Sequence, residues 1–379
     1  MRPRLRVATI VTLGLLVTVA ASLVAQRNAA PAASSAAQAD VTARIVASAQ
    51  AVLATLDDAG RMKVQFPFEG PQKTRWSNLP TGAFHREGLR MGDITPQQRA
   101  AVMTLLSVAL SEDGYRKVTD IMRGDEVLRE TGGGRGPRGG GPPPGFPNGP
   151  PPGRGPGDGR GRGGPGGGGA AFGEAEYYLA FLGTPSATAP WMLQFGGHHL
   201  AINLTLAGSE ATMAPSLPAA QPASYTVEGR TVRPLGNEND KAFALVNALD
   251  ASQRGRAILP YRVADLVLGP GQDGRTIQPE GLRADAMSAP QQAMLLDLIH
   301  EWVGIMNDAF SEPRMGEIRS KLRDTYFAWS GPTTNGSEAY FRIQGPTLVI
   351  EYAPQGSVDH IHTIYRDPTN DYGVKLARR

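Results

Sequence analysis

The chain has 379 residues, which suits one large domain or two ordinary ones. It contains no cysteine, which excludes a disulfide scaffold, a thiolate nucleophile and a Cys-ligated zinc or iron–sulfur site. The net charge is +3, and the chain contains 47 Gly and 31 Pro. Taken as a whole, this composition suggests a basic, glycine-rich nucleic-acid binder, but that interpretation depends on where the charges lie.

The N-terminus has the pattern of a targeting segment. Three arginines in the first six residues precede an uncharged, mostly apolar run over 7–24 that ends in small residues. This pattern predicts a cleaved secretory signal peptide over residues 1–25. The alternative is an uncleaved anchor, since the run nearly reaches the ~20 residues that span a bilayer. Either way we expect export to the periplasm or the cell exterior, with no other membrane contact and a disordered Ala/Ser-rich spacer over 26–42.

A low-complexity insert interrupts the body over residues 131–170. It holds 20 Gly, 10 Pro and 5 Arg and has almost no apolar side chain to bury, so we expect a disordered loop. An Arg-Gly RNA-binding segment at 159–163 is the alternative, but Phe146 is the single aromatic residue and an exported protein rarely meets RNA. The N-terminal segment carries +3 and the insert +4, whereas the whole chain carries +3, so the rest of the chain, at −4, is mildly acidic and predicts no nucleic-acid partner.

The body has the signature of a tandem duplication. Glu87-Gly88-Leu89-Arg90 recurs as Glu280-Gly281-Leu282-Arg283, and Leu200-Ala201-Ile202 resembles Leu348-Val349-Ile350. The spacing between matches is constant before the insert and shorter after it, so one insertion accounts for both. We therefore predict a single exported domain over 43–379, made of repeats at about 45–207 and 238–353 and a C-terminal motif over 354–379.

Each repeat predicts two helices followed by a β-hairpin. Helices are expected to begin after the N-caps Thr95 and Ser288, each followed closely by proline. A second helix is expected near 114–129 or 313–323, before hairpins of apolar strands. The expected fold class is α+β, with two pseudo-symmetric halves whose hairpins pair into one antiparallel sheet.

The histidines lie where the two repeats differ, so the shared fold does not require them. His360 and His362 are two residues apart, which places both rings on one face of a strand and suits a metal site. His198 and His199 follow two glycines and lead into a strand, where an extended chain would point them to opposite faces unless a bulge re-aims one. His85, in a loop, is a further candidate ligand. Without thiolates, the donors suit a divalent transition metal such as zinc, copper or iron.

Three charged residues around the second histidine pair are candidate catalytic groups. Asp359 and Asp367 could act as bases or orient a ligand, and Arg366 could clamp an anionic substrate. The alternative for Arg366 and Asp367 is an ion pair that fastens the C-terminus. The sequence contains no His-Glu-x-x-His, Gly-x-Ser-x-Gly or phosphate-loop motif.

Several motifs resemble a known bacterial family. They are Gly-Gly-His-His-Leu-Ala-Ile-Asn over 196–203, Tyr-Phe-Arg-Ile-x-Gly-Pro from Tyr340, and His-Ile-His-x₃-Arg-Asp-Pro from His360. Together they are similar to the signatures of domain-of-unknown-function family 3500, and the resemblance covers nearly the whole body. It supports the predicted unit and site and implies no particular reaction.

These observations favour an exported metal-dependent enzyme, hydrolytic or oxidative, that uses a histidine cluster. The substrate could be a small molecule or a polymer, and the oligomeric state stays open. The alternative is a non-catalytic exported ligand-binding or structural protein whose His, Asp and Arg side chains form a polar binding or stabilising network.

Overall fold

The structure is a computed structural model that describes residues 35–132 and 170–378. The predicted signal peptide and residues 133–169 of the predicted insert lie outside the described residues. The described part has eight helices: α1 (35–54), α2 (Asp58–Val64), α3 (Pro96–Ala109), α4 (Glu112–Glu130), α5 (Gly236–Ala248), α6 (Ala251–Ala257), α7 (Ala289–Val303) and α8 (Asp308–Ser320). None of them is long and apolar enough to cross a membrane.

The same part of the chain forms fourteen strands: β1 (Gln65–Phe66), β2 (Leu89–Arg90), β3 (Tyr178–Leu182), β4 (Trp191–Gly197), β5 (Leu200–Ala207), β6 (Glu210–Thr212), β7 (Leu217–Pro218), β8 (Tyr225–Val227), β9 (Arg230–Val232), β10 (Leu282–Arg283), β11 (Tyr326–Ser330), β12 (Tyr340–Gly345), β13 (Leu348–Pro354) and β14 (Ile361–Arg366). A seven-stranded sheet has the order β1-β3-β4-β5-β6, with β2 beside β3 and β7 beside β5. A five-stranded antiparallel sheet has the order β10-β11-β12-β13-β14, and β8 pairs with β9. The predicted α+β class is confirmed.

The prediction of a disordered spacer is wrong over residues 35–42, because these residues belong to helix α1. Alanine has the highest helix propensity, and this stretch is rich in it. Val41 and Ile45, one helical turn apart, are both buried in the core and hold the helix against the domain.

The predicted helix starts at Thr95 and Ser288 are confirmed. Each hydroxyl accepts the backbone N–H of a glutamine three residues on, and that glutamine's side chain accepts the N–H of the cap in return. The second helices begin before the predicted ranges, because Ser111 caps α4 and Asn307 caps α8 further toward the N-terminus, and α8 ends at Ser320, short of the predicted 323.

The hairpins lie in two sheets rather than in the single sheet that was predicted. The segment 216–220 joins the two sheets, because one side of it pairs with β5, as Leu200 with Pro218. Its other side makes antiparallel bridges to β14, between Ser216 and Tyr365 and between Ala220 and Ile361. Each sheet has its own large buried core, built around α1, α3 and α4 in the first case and α5 and α7 in the second.

Candidate metal centre

His198 and His199 form the two-residue turn between β4 and β5. Gly197 pairs with Leu200, so only these two residues remain to reverse the chain. His199 accordingly adopts the left-handed region, with φ 61°. Of the two arrangements left open by the sequence, the extended one with rings on opposite faces does not form, because the two rings lie together with centroids 3.6 Å apart.

His360 immediately precedes β14 and His362 is the second residue of that strand, and their rings lie on the same side. Their Nε2 atoms are 3.0 Å apart and their ring centroids 4.7 Å apart. The two-residue periodicity of a strand therefore predicted this juxtaposition correctly.

The structure brings His199 to the same point. Its Nε2 lies 3.0 Å from Nε2 of His360, and its ring centroid is 5.4 Å from that of His362. One nitrogen from each of the three rings lies within 4.8 Å of the others. The backbone holds this arrangement, because the N–H of Ala219 donates to the carbonyl of His199 and that of Ala220 donates to the carbonyl of Ile361. We call these three residues the histidine triad.

The donor set of the histidine triad fits a transition-metal ion. A neutral imidazole nitrogen carries either one proton or one lone pair, so Nε2 of His360 can form a linear hydrogen bond with only one of its two nitrogen neighbours. An ion bound tetrahedrally at 2.0–2.1 Å would separate its nitrogen ligands by about 3.3 Å, close to the spacing found here. Imidazole nitrogens suit zinc, copper and iron.

Burial keeps His199 and His360 in the protonation state that binds metals. Burial lowers the pKa of His199 well below its usual range, and the neighbouring histidines lower it further. Burial and His362 together lower the pKa of His360 to about 3. Both rings are thus neutral near pH 7, the form in which imidazole is a ligand.

Two polar side chains next to His362 were not found from the sequence. The Asn78 amide lies 3.1 Å from Nε2 of His362, and Oδ1 of Asp265 lies 3.5 Å from its Nδ1. Both come from loops distant in the chain from His362, and no spacing rule connects them to it. They orient the His362 ring and place an amide beside the triad.

His198 binds a buried carboxylate instead of joining the triad. Its Nδ1 lies 2.5 Å from Oδ1 of Asp125, and both residues are almost fully buried. Oδ2 of Asp125 accepts the backbone N–H of Gly173 at 3.1 Å. Sequence reasoning missed Asp125, although it lies on the apolar face of α4 between Ile121 and Leu128, where a buried carboxylate needs a partner.

Arg86 ties the loop that carries Asn78 to the β4–β5 turn. Its Nη2 lies 2.6–2.8 Å from the carbonyl oxygens of Ser77, Leu79 and Gly197. Burial lowers the pKa of Arg86 to about 10, which still leaves it charged at neutral pH. The guanidinium thus fixes two parts of the site relative to each other.

Two of the predicted site residues lie on the surface, outside the triad. His85 is exposed, and its backbone carbonyl accepts from Arg75 at 3.4 Å. Asp359 is exposed as well, and its carboxylate accepts the N–H of Ala223 at 3.0 Å. Neither forms a contact with the triad among the contacts of the described residues.

The predicted pair of Arg366 and Asp367 fastens the C-terminal segment. Arg366 donates to the carbonyls of Leu268 and Gly269 and to the carboxylates of Asp273 and Asp371 at 2.7–3.0 Å. Asp367 pairs instead with Arg314 at 3.1 Å. Because the guanidinium is engaged by the chain itself, this geometry favours the fastening interpretation over an anion clamp.

A comparison with known protein families assigns the chain to one family. The sequence profile of the family described as "Protein of unknown function (DUF3500)" matches residues 38–374. The chain belongs to this family, which the motifs around His198, Tyr340 and His360 predicted. No curated protein and no solved structure matches the chain.

Proposed function

We propose that the protein is a metal-dependent enzyme whose centre is the histidine triad. The observation that carries the proposal is the convergence of three Nε2 atoms from two sheets, with neighbouring pairs 3.0 Å apart. Three protein ligands leave an ion a further coordination position for water or substrate, which is typical of catalytic sites and not of closed structural ones.

The chemistry is hydrolytic or oxidative. A bound ion would lower the pKa of a water ligand toward about 7 or, for copper or iron, would exchange electrons. The Asn78 amide lies 3.1 Å from Nε2 of His362 and so places a hydrogen-bond donor beside the triad. Asp265 faces the other nitrogen of His362 and would hold that ring in the orientation a ligand needs. The substrate is a small molecule or a polymer.

Elemental analysis of the untagged protein tests the proposal. We expect about one equivalent or more of zinc, copper or iron per chain, and a loss of at least about tenfold in metal affinity in His362→Ala. His300→Ala is the matched control, since His300 is exposed at the end of α7. Less than about a tenth of an equivalent, unchanged after metal addition, would exclude a metal-dependent enzyme.

A stabilising polar network is the second candidate function. It is supported by the depth of His199 and His362, whose exposed fractions are only 1% and 7%. In that case His362→Ala would lower the melting temperature equally with and without added metal.

We also propose that the protein is exported, on the strength of the N-terminal sequence pattern. Replacing Leu15 and Leu16 in the apolar run by Asp should retain the chain in the cytoplasm. Cell fractionation measures this, and equal export of both forms would contradict it.

The two halves are proposed to be copies of one unit. The order β2-β3-β4-β5 in the first sheet has a counterpart in β10-β11-β12-β13 in the second. Gly88 and Gly281 both have positive φ, and a Cβ on either would approach a carbonyl of the next strand, that of Leu179 or Phe327, to within 2.6 Å. Superposing the two units residue by residue would test the common origin, and a fit confined to one or two elements would count against it.

A further inference from the structure

We infer that the His199 ring lies between two metal positions, the second of which is formed by Asp125, His198 and His199. This inference rests on the proposed function, because the triad supplies the first position. One carboxylate oxygen and one ring nitrogen from each histidine lie within 4.8 Å of one another in this second group, and all three residues are buried.

The unpartnered nitrogen of His199 is the first observation that supports a second ion. Nδ1 of His199 is buried and has no hydrogen-bond partner, while Nε2 faces His360. A histidine that binds a metal through one nitrogen almost always donates its other N–H to an acceptor. Leaving a buried donor unpaired costs about 1–3 kcal/mol, and an ion bound at this nitrogen would remove that cost.

The side chains next to that nitrogen are metal ligands by type. The His198 ring lies against the His199 ring with centroids 3.6 Å apart, and Asp125 contacts Nδ1 of His198 at 2.5 Å. A single proton can bridge this short contact, and a divalent ion bound to both atoms would take its place. An opening of the pair by roughly 0.8 Å would give the N···O separation of two ligands on one tetrahedral ion.

The charges balance for a cation on this side of the turn. Asp125 supplies one negative charge, and its second oxygen is held by the N–H of Gly173. Ion binding moves the Nδ1 proton of His198 to Nε2 of the same ring and releases the Nδ1 proton of His199 to solvent, so that the Asp125 carboxylate and the His199 imidazolate together offset the two positive charges of the ion. Phe172 packs edge-on against His198 with ring centroids 4.8 Å apart, which shields the group from water and strengthens the attraction.

Titration of the metal-free, untagged full-length protein with Cu²⁺ tests the inference. After desalting against a weak chelator, we expect about two equivalents per chain in the wild type and about one in Asp125→Asn. Asp120→Asn is the matched control, since Asp120 lies on the same helix outside the site, and it should keep both ions. His198→Gln provides the same comparison if Asp125→Asn does not fold.

Each outcome separates the inference from the proposed function. One equivalent in the wild type, unchanged in Asp125→Asn and His198→Gln but lost in His362→Ala, overturns the second position and leaves the triad in place. Two equivalents retained in both variants also overturn it, because the second ion then binds elsewhere. No bound copper in the wild type overturns the proposed function as well. With two ions bound, low-temperature electron paramagnetic resonance should integrate to clearly fewer than two spins, and two full spins would contradict a shared ring.

Discussion

The Nε2 atoms of His199 and His360 lie 3.0 Å apart, although 161 positions separate the two residues in the chain. His199 belongs to a turn of the first sheet, and His360 precedes the last strand of the second. The site therefore exists only when both sheets are folded and the segment 216–220 lies between them.

The backbone conformation of His199 separates ligand loss from misfolding. Asn tolerates the left-handed region that φ 61° requires, whereas β-branched Val does not. We expect His199→Asn to stay folded and lose at least about tenfold in metal affinity. The free energy of unfolding of His199→Val should be lower than that of His199→Asn by about 1–2 kcal/mol.

Urea unfolding in the presence of a chelator and metal titration measure the two effects. Undiminished metal affinity in His199→Asn would remove His199 from the ligand set. Equal stability of the Asn and Val variants would show that the turn does not constrain φ.

The stability of the metal-free protein should fall with pH below neutrality. In the unfolded chain, histidine titrates near pH 6.5. The native pKa values of His199 and His360 are lowered, the latter to about 3, so the unfolded state binds more protons between these limits. The free energy of unfolding therefore decreases as the pH falls through this window, by at most about 1.4 kcal/mol per pH unit for each histidine.

Urea unfolding at several pH values between 7 and 5, with a chelator present, measures this slope. His360→Gln should make it shallower. A slope that is the same in wild type and variant would mean that His360 titrates normally in the native protein.

Arg86→Gln should destabilise the protein and weaken metal binding together. The carbonyls of Ser77, Leu79 and Gly197 would lose their shared donor, at a cost of about 3 kcal/mol. Arg75→Gln is the control, because its ion pair with Glu87 is on the surface and contributes below about 1 kcal/mol. Thermal unfolding and metal titration of both variants decide the matter, and a loss of stability with unchanged metal affinity would limit Arg86 to a purely structural role.

Arg366→Ala should loosen the C-terminus. Removing the almost fully buried guanidinium takes a hydrogen-bond partner from each of the partly exposed carboxylates of Asp273 and Asp371, which we expect to cost about 1–3 kcal/mol. Lys375→Ala, at an exposed position, should change little. Limited proteolysis followed by mass spectrometry would locate the exposed end, and equal resistance of the two variants would revive the anion-clamp interpretation of Arg366.

The part of the site that follows local rules could be predicted from the sequence. The alternation of a strand is enough to put His360 and His362 on one side, and a capping residue three positions before a glutamine is enough to mark a helix start. The family assignment rests on motifs that are contiguous in the chain.

The rest depends on the register between strands and on contacts between distant loops. Whether His198 and His199 form a turn or a strand is decided by the pairing of Gly197 with Leu200, which the local pattern does not specify. Asp125 could have been noticed as an acid on an apolar helix face, but its partner could not. Whether the hairpins share a sheet was decided by the segment 216–220, which has no strong strand pattern.

The gap between the histidines is set by the main chain. Ala219 bonds to His199 and Ala220 bonds to Ile361, so the segment 216–220 lies between the turn and β14 and holds them two strand spacings apart. Replacing side chains leaves this backbone pairing nearly unchanged. The three histidine positions are therefore suited to replacement of the metal ligands by mutagenesis. Cysteine, aspartate or glutamate can replace one histidine at a time while the backbone around it keeps its spacing.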